Sequence, residues 1–271
     1  MQALVLGIIQ GFTEFLPISS SGHLVFVPRL FGWGDQGLSF DVMVHLGTLL
    51  AVVVYFRRKL WAVMKAMVGK ETRNKKQETS DLRRFGWLIL LTIIPAGVVG
   101  LLFNDWIEMS LRATWVIGVG LIFWGILLGI ADYYSKKTVV HSQKSVDQLN
   151  WKSALFIGCA QAIALIPGTS RSGITMTAGL FSKLDKKSAA EFSFLMSVPI
   201  IAMAGGLKVI DLVQTGLGDI SLLVLSAGFI ASAFSGFIAI WGLMKIIQKW
   251  SFMPFVVYRV VVGIAILVWL V

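Results

Sequence analysis

The chain has 271 residues, of which 56% are hydrophobic and 14% charged, and its formal net charge is +10. Soluble domains carry about 25% charged residues, so this composition excludes a soluble globular protein and indicates an integral membrane protein. There is no soluble basic domain to hold nucleic acid, so the positive balance is assigned to the cytoplasmic loops of a membrane protein, and the single Cys159 excludes a disulfide framework.

Residues 1–28 are apolar but interrupted by Glu14, Pro17, three serines and His23. A lipid-facing helix would not tolerate that interruption, whereas a re-entrant helix–turn–helix buried in protein would. No Lys or Arg precedes Arg29, so this is not read as a cleavable signal. Residues 29–40 read as a loop, 41–56 as the first full span, and 57–84 as a basic cytoplasmic loop. Spans at about 85–103 and 114–132 follow, with 104–113 between them. After a polar loop at 133–152 the pattern restarts with a second broken stretch (153–181), a short basic loop (182–188) and spans near 189–207, 220–244 and 251–271. The expected fold is all-α, a single membrane domain over 1–271. It has six transmembrane helices plus two re-entrant hairpins, in two repeats at about 1–132 and 153–271.

Charge tests this layout. Loop 57–84 nets +7, loop 133–152 nets +3, and loops 182–188 and 245–250 net +2 each, whereas 29–40 nets 0 and 104–113 and 208–219 net −1 each. All basic loops fall on one face, as the positive-inside rule requires. Three spans per repeat is an odd number, so the second repeat enters from the opposite face. Inverted repeats with broken helices place a shared site near the bilayer midplane, and both termini are expected on the outer face. Asp132 falls at a span end and is read as interfacial.

The two broken stretches align without gaps at an offset of 151. They share Gly7/Gly158, Gln10/Gln161, Ser19/Ser170, Ser21/Ser172 and Gly22/Gly173, five identities in sixteen positions. A weaker match at an offset of 150 pairs Asp41 with Glu191. Where the copies differ, Glu14 stands opposite Leu165, Ser20 opposite Arg171 and His23 opposite Ile174.

Ionisable residues at membrane depth are functional candidates by default. In Pro167-Gly168-Thr169-Ser170-Arg171-Ser172-Gly173, followed by Thr175, hydroxyls and one guanidinium crowd a turn expected to open a helix. Exposed N–H groups there would bind an anion, and arginine adds bidentate phosphate recognition. Ser19-Ser20-Ser21-Gly22-His23 sets hydroxyl nucleophiles beside an imidazole able to move a proton. Glu14 suits a general base or a ligand of a divalent cation. Competing structural readings are packing for the serines, a hydrogen-bonded carboxyl for Glu14, and an ion pair of Arg171 with Glu14 or Glu191. Arg259 either reaches the site or pairs with an acidic residue. His45 is read as a polar helix residue and His141 as a loop residue, and Gln10 and Gln161 as hydrogen-bonding partners within the hairpins. Together the residues describe phosphoryl chemistry on a lipid-borne phosphate, with anion transport as the alternative.

The motifs Gln10-Gly-Phe-Thr-Glu14-Phe-Leu-Pro17-Ile-Ser-Ser-Ser-Gly-His23 and Pro167-Gly168-Thr-Ser170-Arg171-Ser172-Gly173-Ile-Thr175 resemble the bacitracin-resistance family of undecaprenyl-diphosphate phosphatases. So do Ala190-Glu191-Phe192-Ser193-Phe194 and Pro254-Phe255-Val-Val-Tyr258-Arg259, and the similarity covers essentially the whole chain. The resemblance implies hydrolysis of the C55 isoprenoid diphosphate to the monophosphate and inorganic phosphate in the bacterial inner membrane. The active site would open to the periplasmic side and use a divalent metal, Mg2+ or Ca2+. By position, Glu14 would be the catalytic or metal-holding carboxylate, Ser20 the nucleophile, His23 a proton carrier and Arg171 the phosphate clamp. Some members carry Glu where this chain has Gln10, which argues against a two-carboxylate mechanism here.

The principal rival is a flippase for the phosphorylated lipid. A type 2 phosphatidic-acid phosphatase would need a His five residues after its arginine, where this chain has Met176. An ion channel lacks its acidic ring or carbonyl filter. The expected partners are the polyprenyl diphosphate and the membrane, and the sequence is compatible with a homo-oligomer.

Overall fold

Two prolines break the apolar stretches that hold the polar motifs. Pro17 disfavours a helical residue before it, and in the computed structural model Leu16 is extended (φ −68°, ψ 143°). Helix α1 (Gln2–Phe15) therefore ends there, and α2 (Ser20–Phe31) starts after a four-residue turn. Pro167 marks the same break between α7 (Trp151–Ile163) and α8 (Arg171–Phe181). Both second helices open on a serine with positive φ: Ser19 at φ 75°, ψ 98°, and Ser170 at φ 71°, ψ 106°. Such a backbone in a non-glycine residue costs about 1–3 kcal/mol and persists only where its surroundings enforce it. The two turns thus share both sequence and strain.

The remaining helices are α3 (Gly37–Tyr55), α4 (Arg57–Val68), α5 (Lys76–Ser110), α6 (Thr114–Lys137), α9 (Lys186–Thr215), α10 (Leu222–Ile246) and α11 (Met253–Trp269). A 3-10 turn, Val146–Gln148, precedes α7. The structure describes residues 1–34, 36–69, 76–111, 113–137, 143–215 and 221–270; His141 lies outside them, as do parts of the loops whose charges were summed. Among the described residues, five helices are long and apolar enough to cross a membrane: Gly37–Tyr55, Gln77–Phe103, Thr114–Lys137, Lys186–Ile210 and Leu222–Ile246. The sixth expected span, 251–271, is the apolar 17-residue Met253–Trp269. It is about 25 Å long at 1.5 Å per residue, short of a 30 Å hydrocarbon core.

Several expected loops are helical. The basic stretch 57–84 is mostly α4 and the start of α5, because Lys and Arg are good helix formers and α4 buries Val63 and Ala66. The expected connections 104–113 and 208–219 are largely the ends of α5 and α9, and 29–31 completes α2.

Packing crosses between the halves of the chain. Helices α1 and α3 pack on α10, while α7 and α9 pack on α5; α6 pairs with α11, and α8 lodges against α6, α7 and α9. Beneath the polar turns, Phe15 and Phe194 meet edge to face with centroids 5.5 Å apart, inside a large cluster of buried apolar residues from both halves. Asp132, at the end of α6, is buried. It pairs with Lys136 (3.6 Å) and Lys186 (3.1 Å) and accepts a hydrogen bond from Ser251.

Candidate active site

Glu14 lies in the last turn of α1, where the break at Pro17 brings the start of α2 back against it. Its Oε2 accepts from Ser20 Oγ (2.8 Å) and from Gln10 Nε2 (3.1 Å), one turn earlier on α1. Its Oε1 accepts from Arg171 Nη2 at 2.8 Å, the first residue of α8. The Arg171 fork also donates through Nη1 to the Ser193 carbonyl (3.0 Å) on α9. Glu14 and Arg171 are 8% and 14% exposed in their side chains, so this ion pair is removed from bulk water and screened little. Of the two ion-pair readings for Arg171, the structure has Glu14. Glu191 pairs instead with Lys59 Nζ at 2.6 Å.

The second turn is tied to the first. Ser172 Oγ donates to the Leu16 carbonyl (3.0 Å), and Thr175 Oγ1 lies 2.7 Å from Ser193 Oγ. Ser170 caps α8 by accepting from the Gly173 N–H (3.1 Å). The Ser19–Ser21 and Ser170–Ser172 hydroxyl pairs are each separated by 3.4 Å. Gly168 has φ +86°, and a Cβ there would meet the Ile117 backbone of α6, so only glycine fits that turn. Gln161 donates to the Thr92 carbonyl of α5 (3.4 Å), so its partner lies outside the second hairpin where one within it was expected, whereas Gln10 bonds Glu14 inside the first.

Arg259 is fully buried on α11, and the structure gives it carbonyl partners where an acidic one was considered. Nη2 donates to the Thr169 (2.8 Å) and Gly168 (3.2 Å) carbonyls, Nη1 to that of Pro17 (3.3 Å) and Nε to that of Leu121 (3.2 Å). One guanidinium therefore binds the backbone of both hairpin turns. A Cβ on Gly173 would fall 2.6 Å from Arg259 Nη1, which accounts for a glycine there.

His23 is buried, with Nδ1 2.7 Å from the Ser19 carbonyl and Nε2 2.6 Å from Tyr258 Oη. Neither bond reaches Ser20 or Glu14. His23 and Tyr258 instead form part of the wall of a groove of about 520 Å³. It is otherwise lined mainly by apolar side chains of α1, α2 and α11, including Ile8, Phe12, Leu16 and Phe255.

Sequence reasoning passed over three residues. His45, read as an ordinary polar helix residue, places Nε2 3.9 Å from Glu14 Oε2 while its Nδ1 meets the Asp41 carbonyl (2.7 Å). Its depth within an apolar span was the available signal. Ser193 and Tyr258 lay inside quoted motifs, but their roles depend on which helix faces which, and nothing local encodes that.

Chemically, the cluster joins a hydroxyl already donating to a carboxylate, a guanidinium on that same carboxylate, and a helix N-terminus at Arg171. These are the parts of an activated nucleophile and an anion clamp. Among the described residues, no three of His, Cys, Asp and Glu gather as a metal cage. Glu14 is accompanied by Gln10 Oε1, a buried oxygen that meets no hydrogen-bond donor among the described residues.

Comparison with known proteins places this geometry in a family. Residues 3–265 match the family described as bacitracin resistance protein BacA. Undecaprenyl-diphosphatase 1 of Pseudoalteromonas translucida is 47% identical over 272 residues, covering 100% of this chain and 98% of its own length. Undecaprenyl-diphosphatase 2 of Stutzerimonas stutzeri is 46% identical, covering 99% and 97%, and the undecaprenyl-diphosphatase of Hahella chejuensis is 47% identical, covering 100% and 98%. A match along the whole chain, carried by these relatives, makes this protein a member of the bacitracin resistance protein BacA family.

Proposed function

We propose that this membrane protein is an undecaprenyl-diphosphate phosphatase. It hydrolyses the lipid diphosphate to undecaprenyl phosphate and inorganic phosphate, so recycling the carrier of cell-wall synthesis and conferring bacitracin resistance. The observation that carries the reading is the contact chain Ser20–Glu14–Arg171, which joins nucleophile, base and phosphate clamp across the two hairpins.

In the proposed reaction the diphosphate draws Arg171 from Glu14, and the α8 N-terminus and the hydroxyls of Ser170 and Thr169 complete the anion site. Ser20 Oγ attacks the terminal phosphorus as its proton passes to Glu14 Oε2. The Oγ–P bond forms, the bond from phosphorus to the bridging oxygen breaks, and the lipid monophosphate leaves. Water then cleaves the phosphoserine, releasing inorganic phosphate. Direct attack by water is the competing mechanism. For Mg2+ or Ca2+, Glu14 and Gln10 Oε1 would be the protein's contribution, with most ligands supplied by diphosphate and water, an arrangement usual for Mg2+. The bound ion would neutralise phosphate charge.

The proposal includes an inverted-topology arrangement in the bacterial inner membrane, with hairpins entering from opposite faces and the site open to the periplasmic side. The matching turns at Ser19 and Ser170 and the exchange of α1 on α10 for α7 on α5 support it. The deciding experiment is phosphate release from undecaprenyl diphosphate by purified protein in detergent, with and without chelator, comparing wild type with Glu14→Ala and Arg171→Ala. Loss of release in both variants is expected. Full activity in both would overturn the site assignment, and wild-type protein without release would favour a flippase.

A further inference from the structure

His23 belongs to the first polar stretch but bonds neither Glu14 nor Ser20, and its two hydrogen bonds determine its proton arrangement. The Ser19 carbonyl can only accept, so the proton of the 2.7 Å contact sits on Nδ1. In the neutral imidazole Nε2 is then an acceptor, and Tyr258 Oη, 2.6 Å away, donates to it. The two rings lie nearly parallel, with 6° between their planes. Tyr258 is 41% exposed and lines the apolar groove, so its hydroxyl stands between that groove and a buried imidazole.

The carbonyl that His23 grips belongs to Ser19, the residue with φ 75°, and Ser20 follows directly. A strained turn of this kind must be held from outside. In the second hairpin the position of His23 is Ile174, which offers no such grip, and Arg259 holds that turn through the Gly168 and Thr169 carbonyls. Adjacent residues of α11 thus brace the turns: Arg259 binds both directly, and Tyr258 adds a second hold on the first by way of His23.

We propose that Tyr258 is a positioning residue for the reaction: through His23 it fixes the Ser19 turn and so sets the Ser20 hydroxyl against Glu14. The proposal rests on the assignment of Ser20 and Glu14 above. A tyrosine serving only as an interfacial anchor would affect stability, but not turnover at saturating substrate.

The test compares Tyr258→Phe, His23→Ala and the double variant as full-length protein in detergent. It measures kcat and KM for undecaprenyl diphosphate and the 15N shifts of the His23 imidazole. For Tyr258→Phe the expected result is a fall in kcat of about tenfold, KM within about twofold, and an Nε2 15N shift moved by the loss of its hydrogen-bond donor while the Ser19 carbonyl keeps the proton on Nδ1. Added to His23→Ala, the change should cost nothing further, because residues acting through one another are non-additive. A kcat close to wild type, an unmoved Nε2 shift, or losses that multiply in the double variant would each overturn the proposal. Activity retained in Glu14→Ala would instead overturn the site assignment on which it rests.

Discussion

Arg171 Nη2 lies 2.8 Å from Glu14 Oε1, joining the first residue of α8 to the last turn of α1. The same guanidinium reaches the Ser193 carbonyl through its other terminal nitrogen, so both contacts require a planar fork. Lysine offers its donors from a single ammonium nitrogen, so it lacks the spaced fork that spans these two partners and binds phosphate bidentately. Arg171→Lys is therefore expected to lower kcat/KM about a hundredfold, equivalent to about 2.7 kcal/mol of transition-state stabilisation. Steady-state phosphate release checks this, and a loss below about threefold would show that the fork geometry is not used.

The 2.8 Å contact from Ser20 Oγ to Glu14 gives the nucleophile question a sharp form. If Ser20 attacks phosphorus, Ser20→Ala removes the bond-forming atom, and kcat should fall by about a thousandfold or more. Acid quench of wild-type protein turning over 32P-labelled diphosphate should then trap label on Ser20. If water attacks directly, Ser20→Ala should retain activity within about tenfold and no label should remain on the protein.

Glu14, Ser20, His23 and Arg171 were legible because ionisable and hydroxyl residues in apolar sequence have few explanations, and because the repeat marks where the chain breaks. Legibility ended at contacts that depend on packing. His23 and Ser20 read as partners from their spacing, yet the turn of α2 carries the imidazole to Tyr258 and leaves the hydroxyl with Glu14. Glu191, aligned with Asp41 by the repeat, faces Lys59 on a helix that was read as a loop. Charge counting assigns a stretch to a face but says nothing of its secondary structure, so α4 and the long ends of α5 and α9 were missed. Arg259 was undecidable because its partners are backbone carbonyls, which every residue carries.

The close approach of α1 to α10 predicts a steric limit. A Cβ on Gly7 would lie 2.6 Å from the Gly228 carbonyl oxygen and 2.9 Å from Ala231 Cβ, so the helices must separate to admit one. Close backbone contact of this kind, through small residues, is what holds membrane helices together. Gly7→Val should destabilise the folded protein by about 1–3 kcal/mol. It should also lower activity, because α1 carries Gln10 and Glu14. Thermal unfolding in detergent reads the first effect, and an unchanged melting temperature would show that α1 shifts without cost.

Arg259 offers the most severe structural prediction. The side chain is wholly buried, and its donors go to carbonyls at Pro17, Leu121, Gly168 and Thr169. Arg259→Met preserves much of the apolar volume but leaves these carbonyls without their donor, and each unsatisfied buried acceptor costs about 1–3 kcal/mol. Replacing the charge also removes the cost of burying it, so the net loss should be smaller than the sum, on the order of 3 kcal/mol. The two turns are expected to loosen together, because one guanidinium holds both. Thermal unfolding should therefore show a lowered Tm, and limited proteolysis should open cleavage near both Pro17 and Gly168. Cleavage at one turn alone would show that the other is held independently of α11.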